Sequence, residues 1–367
     1  MFEFVFLAAG LEGGNSGGIQ YSGQLAWSAL CRQARTHACS AALLSYGDEP
    51  GVTLEDGCRL VRSRSRLDVL AKALCYDWTA RQVLCWHRDL AKLLPFLRVG
   101  PARISLFLHG IEAWQPLGTF ARRSLRGIDQ LIANSEFTWQ RFLECNRGFA
   151  RIPCRVVPLG IGDPVVEEPP PPAEPPAALM LGRLVRSEAY KGHAEIISVW
   201  PRVRAQVPGA KLWVAGDGDL RPDLEQLARS GGCADSVVFW GRVSEAKKAE
   251  LLEGSRCLAM PSRGEGFGLV YLEAMRLGRP CLVSNQDAGR EVVRPPEAGL
   301  EADPADPEAL TSALRRLLQA GPEWNAWSAA ARRRYEACFT AAHFQARLLD
   351  ALVGDGPSER CLPEGKG

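Results

Sequence analysis

The sequence predicts an α/β protein built from two doubly wound domains, and three observations predict it. Short apolar runs alternate with amphipathic stretches through the first half. A proline-dense stretch, EEPPPPAEPP at 167–176, interrupts that alternation, and the same alternation then restarts. Strands separated by helices favour parallel βαβ units. At 367 residues the chain is long for a single hydrophobic core. Prolines at that density cannot join a sheet or a helix interior and favour an extended spacer. The expected division is an N-terminal domain over 1–166, a linker over 167–176, a second domain over 177–335, and a C-terminal helix and tail over 336–367 packing back toward the first domain.

The first element, FEFVFLAA, reads as a buried strand. Its apolar run ends in glycines and carries an acid at position 3, so it reads as that strand and not as a signal peptide. The glycine-rich loop Gly13 to Gly18 follows, then a helix from about Ser22 to Arg35. Apolar runs at Ala41–Leu44, Gln82–Trp86, Ile104–Leu108, Gln130–Ala133 and Arg155–Pro158 supply further strands, with helices between them. In the second half ALMLG, KLWVAG, SVVFWG, CLAMPS and PCLVS read as strands. Helices follow over Gly192–Val207, Asp219–Ser230 and Ser244–Gly254, and one long helical tail runs from roughly Pro322 to Val353. Ligands of open α/β sheets bind beyond the carboxyl ends of the strands. Two such sheets facing each other across a cleft would therefore place a ligand between the domains.

A hydrophobic content of 46% and a charged content of 23% suit a soluble globular protein. The net charge of +2 argues against a general nucleic-acid binder. The charge is uneven: residues 1–165 hold 19 Lys and Arg against 14 Asp and Glu. Much of that excess lies in Arg59 to Lys72, RLVRSRSRLDVLAK. The segment reads as a solvated helix face or as a docking surface for anionic lipid or a phosphorylated acceptor. The twelve cysteines show no Cys-x-x-Cys pair. Cys31, Cys75, Cys85, Cys257 and Cys281 sit in apolar patterns, which points to buried thiols in a reducing compartment. No run approaches the roughly 18 apolar residues of a membrane span. The expectation is a cytoplasmic protein with a docking place at the inner face of the membrane.

The stretch SRGEGFGLVYLEAMRLGRPCLVS carries the most chemistry. Glu265 and Glu273 are separated by seven residues, and between them a Gly-Phe-Gly loop opens into a helix. The first amides of a helix lack partners and the helix end is partly positive, so the site suits a phosphate. Carboxylates on either side of such a cradle are placed to accept hydrogen bonds from sugar hydroxyls. Arg183 directly follows the strand ALMLG, and Lys191 lies a short way beyond. Asp217 and Asp219 in GDGD have the Asp-x-Asp form of a metal pair, and Gly216 and Gly218 beside them permit close backbone approach; the family resemblance set out below favours the glycines. His37, His87, His193 and His343 show no ligand spacing. No metal or other cofactor is expected.

From LGRLVRSEAYKGH through VAGDGDL and VVFWGRV to MPSRGEGFGLVYLEAMRLGRPCLVS, the second half resembles glycosyltransferase family 4, the retaining nucleotide-sugar transferases of the GT-B fold. The first half resembles it more loosely, through GNSGGIQ, FLHGIE, ANSEFT and VPLGI. The resemblance implies two Rossmann-like domains facing across a cleft. It also implies that Glu265 contacts the donor sugar and Glu273 the ribose hydroxyls. By the same resemblance the amides of Gly266, Phe267, Gly268, Leu269 and Val270 hold the diphosphate, and Arg183 and Lys191 neutralise it. Gly182 ends the strand that leads into Arg183. Gly17 and Gly18 would close over the phosphates and the acceptor, and His109 would contact the transferred sugar near its anomeric carbon.

The activity so implied is that of a retaining hexosyltransferase working without metal. The donor is a nucleoside-diphosphate sugar and the acceptor a glycan or lipid-linked hydroxyl, as in polysaccharide or lipopolysaccharide synthesis. Negative charge builds on the leaving phosphate, so fixed cations lower the barrier. Glu112, three residues past His109, is explained as well by turn packing as by a nucleophilic role. Two alternatives stand beside this reading: a sugar-nucleotide epimerase on the same scaffold, and a degenerate transferase acting as a partner protein. A dinucleotide oxidoreductase is disfavoured, because no Gly-x-Gly-x-x-Gly follows the first strand.

Overall fold

The computed structural model describes residues 1–11, 17–165 and 169–354. The chain divides into two compact units, one of residues 1–160 together with the segment from 341 onward, the other of residues 161–340.

The first unit contains β1 (Phe2–Ala9), α1 (Gly18–Thr36), β2 (Ala41–Tyr46), β3 (Gly51–Glu55), β4 (Cys58–Ser63), α2 (Arg66–Cys75), β5 (Ala80–Cys85), β6 (Arg103–Leu108), α3 (Thr119–Ser124), β7 (Gln130–Ala133), α4 (Glu136–Cys145) and β8 (Cys154–Val156). Its sheet runs β3-β4-β2-β1-β5-β6-β7-β8. All neighbours are parallel except the β3–β4 hairpin. Phe4 at the centre pairs with Ala41 on one side and Gln82 on the other. Central strands covered on both faces read as unbroken apolar runs, and Val5, Phe6 and Leu7 are fully buried.

The second unit contains β9 (Ala177–Leu181), α5 (His193–Gln206), β10 (Lys211–Ala215), α6 (Arg221–Ser230), β11 (Val237–Gly241), α7 (Glu245–Gly254), β12 (Cys257–Met260), α8 (Leu269–Arg276), β13 (Cys281–Ser284), α9 (Gly289–Val293), β14 (Gly299–Ala302), α10 (Pro307–Leu318) and α11 (Pro322–Cys338). Its strands are all parallel, in the order β11-β10-β9-β12-β13-β14. β9 lies at the centre of the order, so the loop leaving it has a ligand-binding edge on both sides.

Several elements differ from the sequence reading. α1 starts at Gly18, because the Ser22 hydroxyl donates back to Gly18 O at 2.7 Å and is an interior residue, not a cap. The basic stretch 59–72 is not one helix face. It is split between β4 and α2, and β4 turns back on β3 through Asp56 and Gly57, both at positive φ. Three of its cations are paired locally: Arg62 with Glu55 at 3.5 Å, Arg64 with Glu49 at 2.9 Å, Lys72 with Asp68 at 2.8 Å. Cys75, read as buried, is exposed at the end of α2.

The described part of the proline-rich segment is fastened to the second unit. Ala173 N donates to Gly254 O at 2.9 Å, and Arg256 and Arg279 reach Glu174 and Pro170 O. Prolines lack donors but keep acceptors, and of these two largely buried arginines Arg279 uses a proline carbonyl while Arg256 pairs with the Glu174 carboxylate. The single tail helix is instead two, α11 and α12 (Ala341–Val353). The break falls where Phe339 O takes a bond from Ile161 N at 3.0 Å.

Candidate active site

In the second unit a group of loops meets at the carboxyl end of β9. Gly216 and Gly218, at φ +145° and +152°, let the loop after β10 lie flat on the loop after β9. A Cβ on Gly216 would stand 1.7 Å from Gly182 O, and one on Gly218 2.3 Å from Leu184 O. The contact is sealed by Gly182 N to Ala215 O at 3.1 Å and Leu184 N to Asp217 O at 3.0 Å. The acids of GDGD serve this packing: Asp217 accepts from Gly218 N at 2.9 Å, and Asp219 from Arg186 N at 3.0 Å.

The chain then makes a 3-10 turn over Arg186–Lys191 before α5. That turn buries Glu188, which the sequence reading did not single out. Glu188 bonds the Arg183 guanidinium and pairs with Lys191 Nζ at 2.7 Å. The two cations differ in freedom. The Arg183 side chain is 76% exposed, while that of Lys191 is 15% exposed and lies over Gly182. His193, at the start of α5, is buried with both ring nitrogens unpartnered, and burial followed by the Lys191 charge holds its pKa down to about 4.

The Glu265 loop comes in from β12. Loss of water pushes the Glu265 carboxyl above its usual range; Lys191 opposes this and Glu188 adds to it. Glu265, Lys191 and Glu188 therefore share one electrostatic neighbourhood. Tyr190 belongs to it too, pushed to about 12 by burial and by the charges of Glu265 and Glu188. Behind the loop sits Asp287, a second residue missed from sequence. It accepts from Glu265 N at 3.2 Å and from Gly289 N at 2.9 Å. Burial, with the Glu265 charge adding, raises its pKa to about 8. Arg263 ties the same loop to Glu195 of α5 and donates its amide to Tyr190 O at 2.9 Å.

Phe267 is buried edge-on against Phe339, 6.0 Å between centroids, and anchors the loop. Gly268 then starts α8 in a left-handed conformation, φ +85°, with no side-chain cap. Leu269 and Val270 form its half-buried first turn. Glu273, one turn on, does not join the Arg183–Glu188–Lys191 group. It pairs with Lys248 of α7 at 3.0 Å, and burial, opposed by Lys248, raises its pKa. Lys248 is a third residue that sequence spacing did not reveal.

In the first unit Trp86 organises the remaining candidates. Its indole Nε1 donates to Ile19 O in the first turn of α1 at 2.9 Å, just past Gly17 and Gly18. Its carbonyl accepts from His109 Nε2 at 2.6 Å. A carbonyl only accepts, so Nε2 carries the proton and Nδ1, buried and unpartnered, keeps its lone pair. Burial lowers the His109 pKa to about 4, so the ring is neutral at ordinary pH. Glu112 acts on the backbone, accepting from His109 N at 2.6 Å and Gly110 N at 3.1 Å. Residues 13–16 of the glycine-rich loop lie outside the described residues.

Comparison with known proteins agrees with this layout. A family model described as Glycosyl transferases group 1 matches residues 175–320. A GDP-mannose-dependent alpha-(1-6)-phosphatidylinositol monomannoside mannosyltransferase of Mycobacterium tuberculosis is 30% identical over 285 residues, covering 72% of this chain and 74% of the relative. A phosphatidyl-myo-inositol mannosyltransferase of Mycobacterium leprae is 32% identical over 183 residues, 48% of this chain and 47% of that one. Among solved structures, a sucrose-phosphate synthase from Thermosynechococcus elongatus superposes with a TM-score of 0.73 at 21% identity, over 95% of this chain and 98% of the other. Anabaena HepE in complex with UDP-glucose superposes with a TM-score of 0.73 at 15% identity, over 95% and 98%. These two likenesses concern the fold, and the mycobacterial relative establishes kinship: the chain belongs to the group 1 glycosyltransferases, the GT4 type, with two Rossmann-like units of the GT-B fold.

Proposed function

We propose that this glycosyltransferase is a retaining, metal-independent enzyme moving a hexose from a nucleoside-diphosphate sugar to a hydroxyl of a glycan or lipid-linked acceptor, in cell-surface polysaccharide or lipopolysaccharide synthesis. The observation that carries the reading is the pair Arg183 and Lys191 at the carboxyl end of β9, both drawn onto Glu188. Two cations and the uncapped start of α8 suit a leaving diphosphate, whose growing negative charge they would stabilise. Arg183 offers a bidentate fork and Lys191 a point charge. Glu265 is assigned to the sugar and Glu273 to the ribose, each accepting from hydroxyls. His109, as a neutral ring with a bare Nδ1, is assigned the role of acceptor toward the sugar, not that of a proton donor. The leaving phosphate is assigned the acceptor proton.

The test is a donor screen with UDP-, GDP- and ADP-sugars, with and without acceptor, following free nucleotide. GDP-mannose is the first donor to try, given the name of the mycobacterial relative. An NMR assignment of the product anomer checks retention, and an inverted product would refute it. A donor interconverted without release would give the epimerase reading, and no turnover at all the partner-protein reading.

For localisation we propose a cytoplasmic enzyme that touches the inner membrane face through α2. Among the described residues no helix is long and apolar enough to cross a membrane. The support is an apolar outer face of α2: Leu67 and Leu74 are 81% and 46% exposed, and Leu70 and Ala71 lie on the same stripe. Cosedimentation with phosphatidylglycerol vesicles, lost in Leu67→Glu, is the expected result; equal binding by that variant would remove α2 from the contact.

A further inference from the structure

A phosphate site lined by a buried acid is at odds with its purpose, and Glu188 is that acid. It is 9% exposed, and both cations assigned to the diphosphate are spent on it. Lys191 is packed and has little room to move, whereas Arg183 lies in solvent except for this one bond. Glu265 stands in the same field, so the site holds acids of its own before any ligand arrives.

We propose that Glu188 is a positioning residue that stands in for the diphosphate: it holds Arg183 and Lys191 in place while the site is empty and competes for them when it is full, so that the nucleoside diphosphate product is released. The inference rests on the diphosphate reading of Arg183 and Lys191. A carboxylate and a phosphate present similar paired oxygens to a guanidinium. An incoming diphosphate therefore exchanges one charge-assisted bond for another instead of gaining both outright. Ground-state affinity is lowered by that exchange. Binding differences of this kind reside mostly in the off-rate, and product release limits many transferring enzymes.

The experiment is calorimetric titration of inorganic pyrophosphate into the full chain. Glu188→Gln keeps the shape and removes the charge. The expected result is affinity tighter by about tenfold, the worth of one charge-assisted hydrogen bond no longer in competition. With a donor that turns over, steady-state kcat should fall while single-turnover transfer stays near wild type. Glu188→Asp, which restores the charge, should return pyrophosphate affinity toward wild type. A purely structural Glu188 predicts the opposite, since scattered cations bind pyrophosphate more weakly. Unchanged or weakened binding by folded Glu188→Gln overturns the proposal. Glu188→Ala, with the same expected direction, decides the matter if the Gln variant does not fold. Lys191→Ala tests the underlying reading separately: if pyrophosphate binds that variant as well as wild type, the diphosphate site is elsewhere, whatever the Glu188 variants do.

Discussion

Gly216→Ala is the sharpest probe of the site's framework. The added Cβ would lie 1.7 Å from Gly182 O and 2.8 Å from Gly182 C, both backbone atoms that no side-chain rotation can clear. Relief needs a shift of more than about 1 Å between the two loops. Such a shift removes Gly182 N to Ala215 O and Leu184 N to Asp217 O, at 3.1 and 3.0 Å. Two net hydrogen bonds amount to about 2 kcal/mol. Holding a non-glycine residue at φ +145° adds about 1–3 kcal/mol. The total is about 3–5 kcal/mol, which for a unit of this size corresponds to a fall in Tm of roughly 10 °C. Circular dichroism melting measures the loss. Pyrophosphate titration at low temperature shows whether Arg183 and Lys191 are displaced with the loop. A variant melting within about 2 °C of wild type and binding normally would refute the steric argument.

Four further outcomes are expected. Lys191→Ala should lower kcat by about 100-fold or more with a smaller change in KM, because the ammonium acts mainly on charge that develops in the transition state; a raised KM with kcat unchanged would mean uniform binding and refute this. Glu273→Ala should weaken nucleoside diphosphate binding about tenfold by deleting a ribose acceptor, measured by calorimetry, and unchanged affinity would reassign the residue. The His109 ring should be neutral and protonated on Nε2 at pH 6, as read by nitrogen-15 NMR, since its pKa is lowered from 6.5 to about 4; a ring titrating above pH 6 would contradict this. The Asp287 pKa, raised from 3.8 to about 8, makes the folded state the tighter proton binder, so its contribution to stability is full at low pH and is lost as pH rises from about 4 to about 8. Urea unfolding across that window should show a shallower fall in Asp287→Asn than in wild type, and parallel curves would sink the assignment.

The alternation of parallel strands and helices was legible because both-face burial writes itself as apolar runs; β1, β5, β6, β9 and β12 all read that way. The β3–β4 hairpin carries a sequence signal that apolar patterning does not show. Asp56-Gly57, between two β-type segments, is a type I′ turn sequence, while the arginines of 59–64 break the apolar pattern of β4. β14 is four residues with an exposed Glu301 and has little pattern to read. The break between α11 and α12 has no proline or glycine to mark it; a bond from Ile161, distant in sequence, sets it. At the candidate site, the close backbone approach at Gly216 and Gly218 was legible in GDGD, while the roles assigned to the Glu265 loop rest on the resemblance. Glu188 was available as an i,i+3 partner of Lys191. Asp287 and Lys248 were not, because each reaches its partner across a tertiary contact, from beyond β13 and from α7.

The helix α12 comes after the whole second unit in sequence yet belongs to the first. Phe344 and Leu348 are wholly buried there, Gln130 Nε2 donates to Ala351 O at 3.1 Å, and Gln345 Nε2 donates to Leu25 O at 2.9 Å. A fragment ending at 160 would bare the surface this helix covers and remove the bonds to Leu25 O and from Gln130 Nε2. Dissecting the enzyme into halves therefore requires carrying the segment 341–354 with the amino-terminal piece, by co-expression or by fusion through a linker. The newborn chain meets the same constraint: its leading half lacks the buried Phe344 and Leu348 until residues 341–354 have left the ribosome.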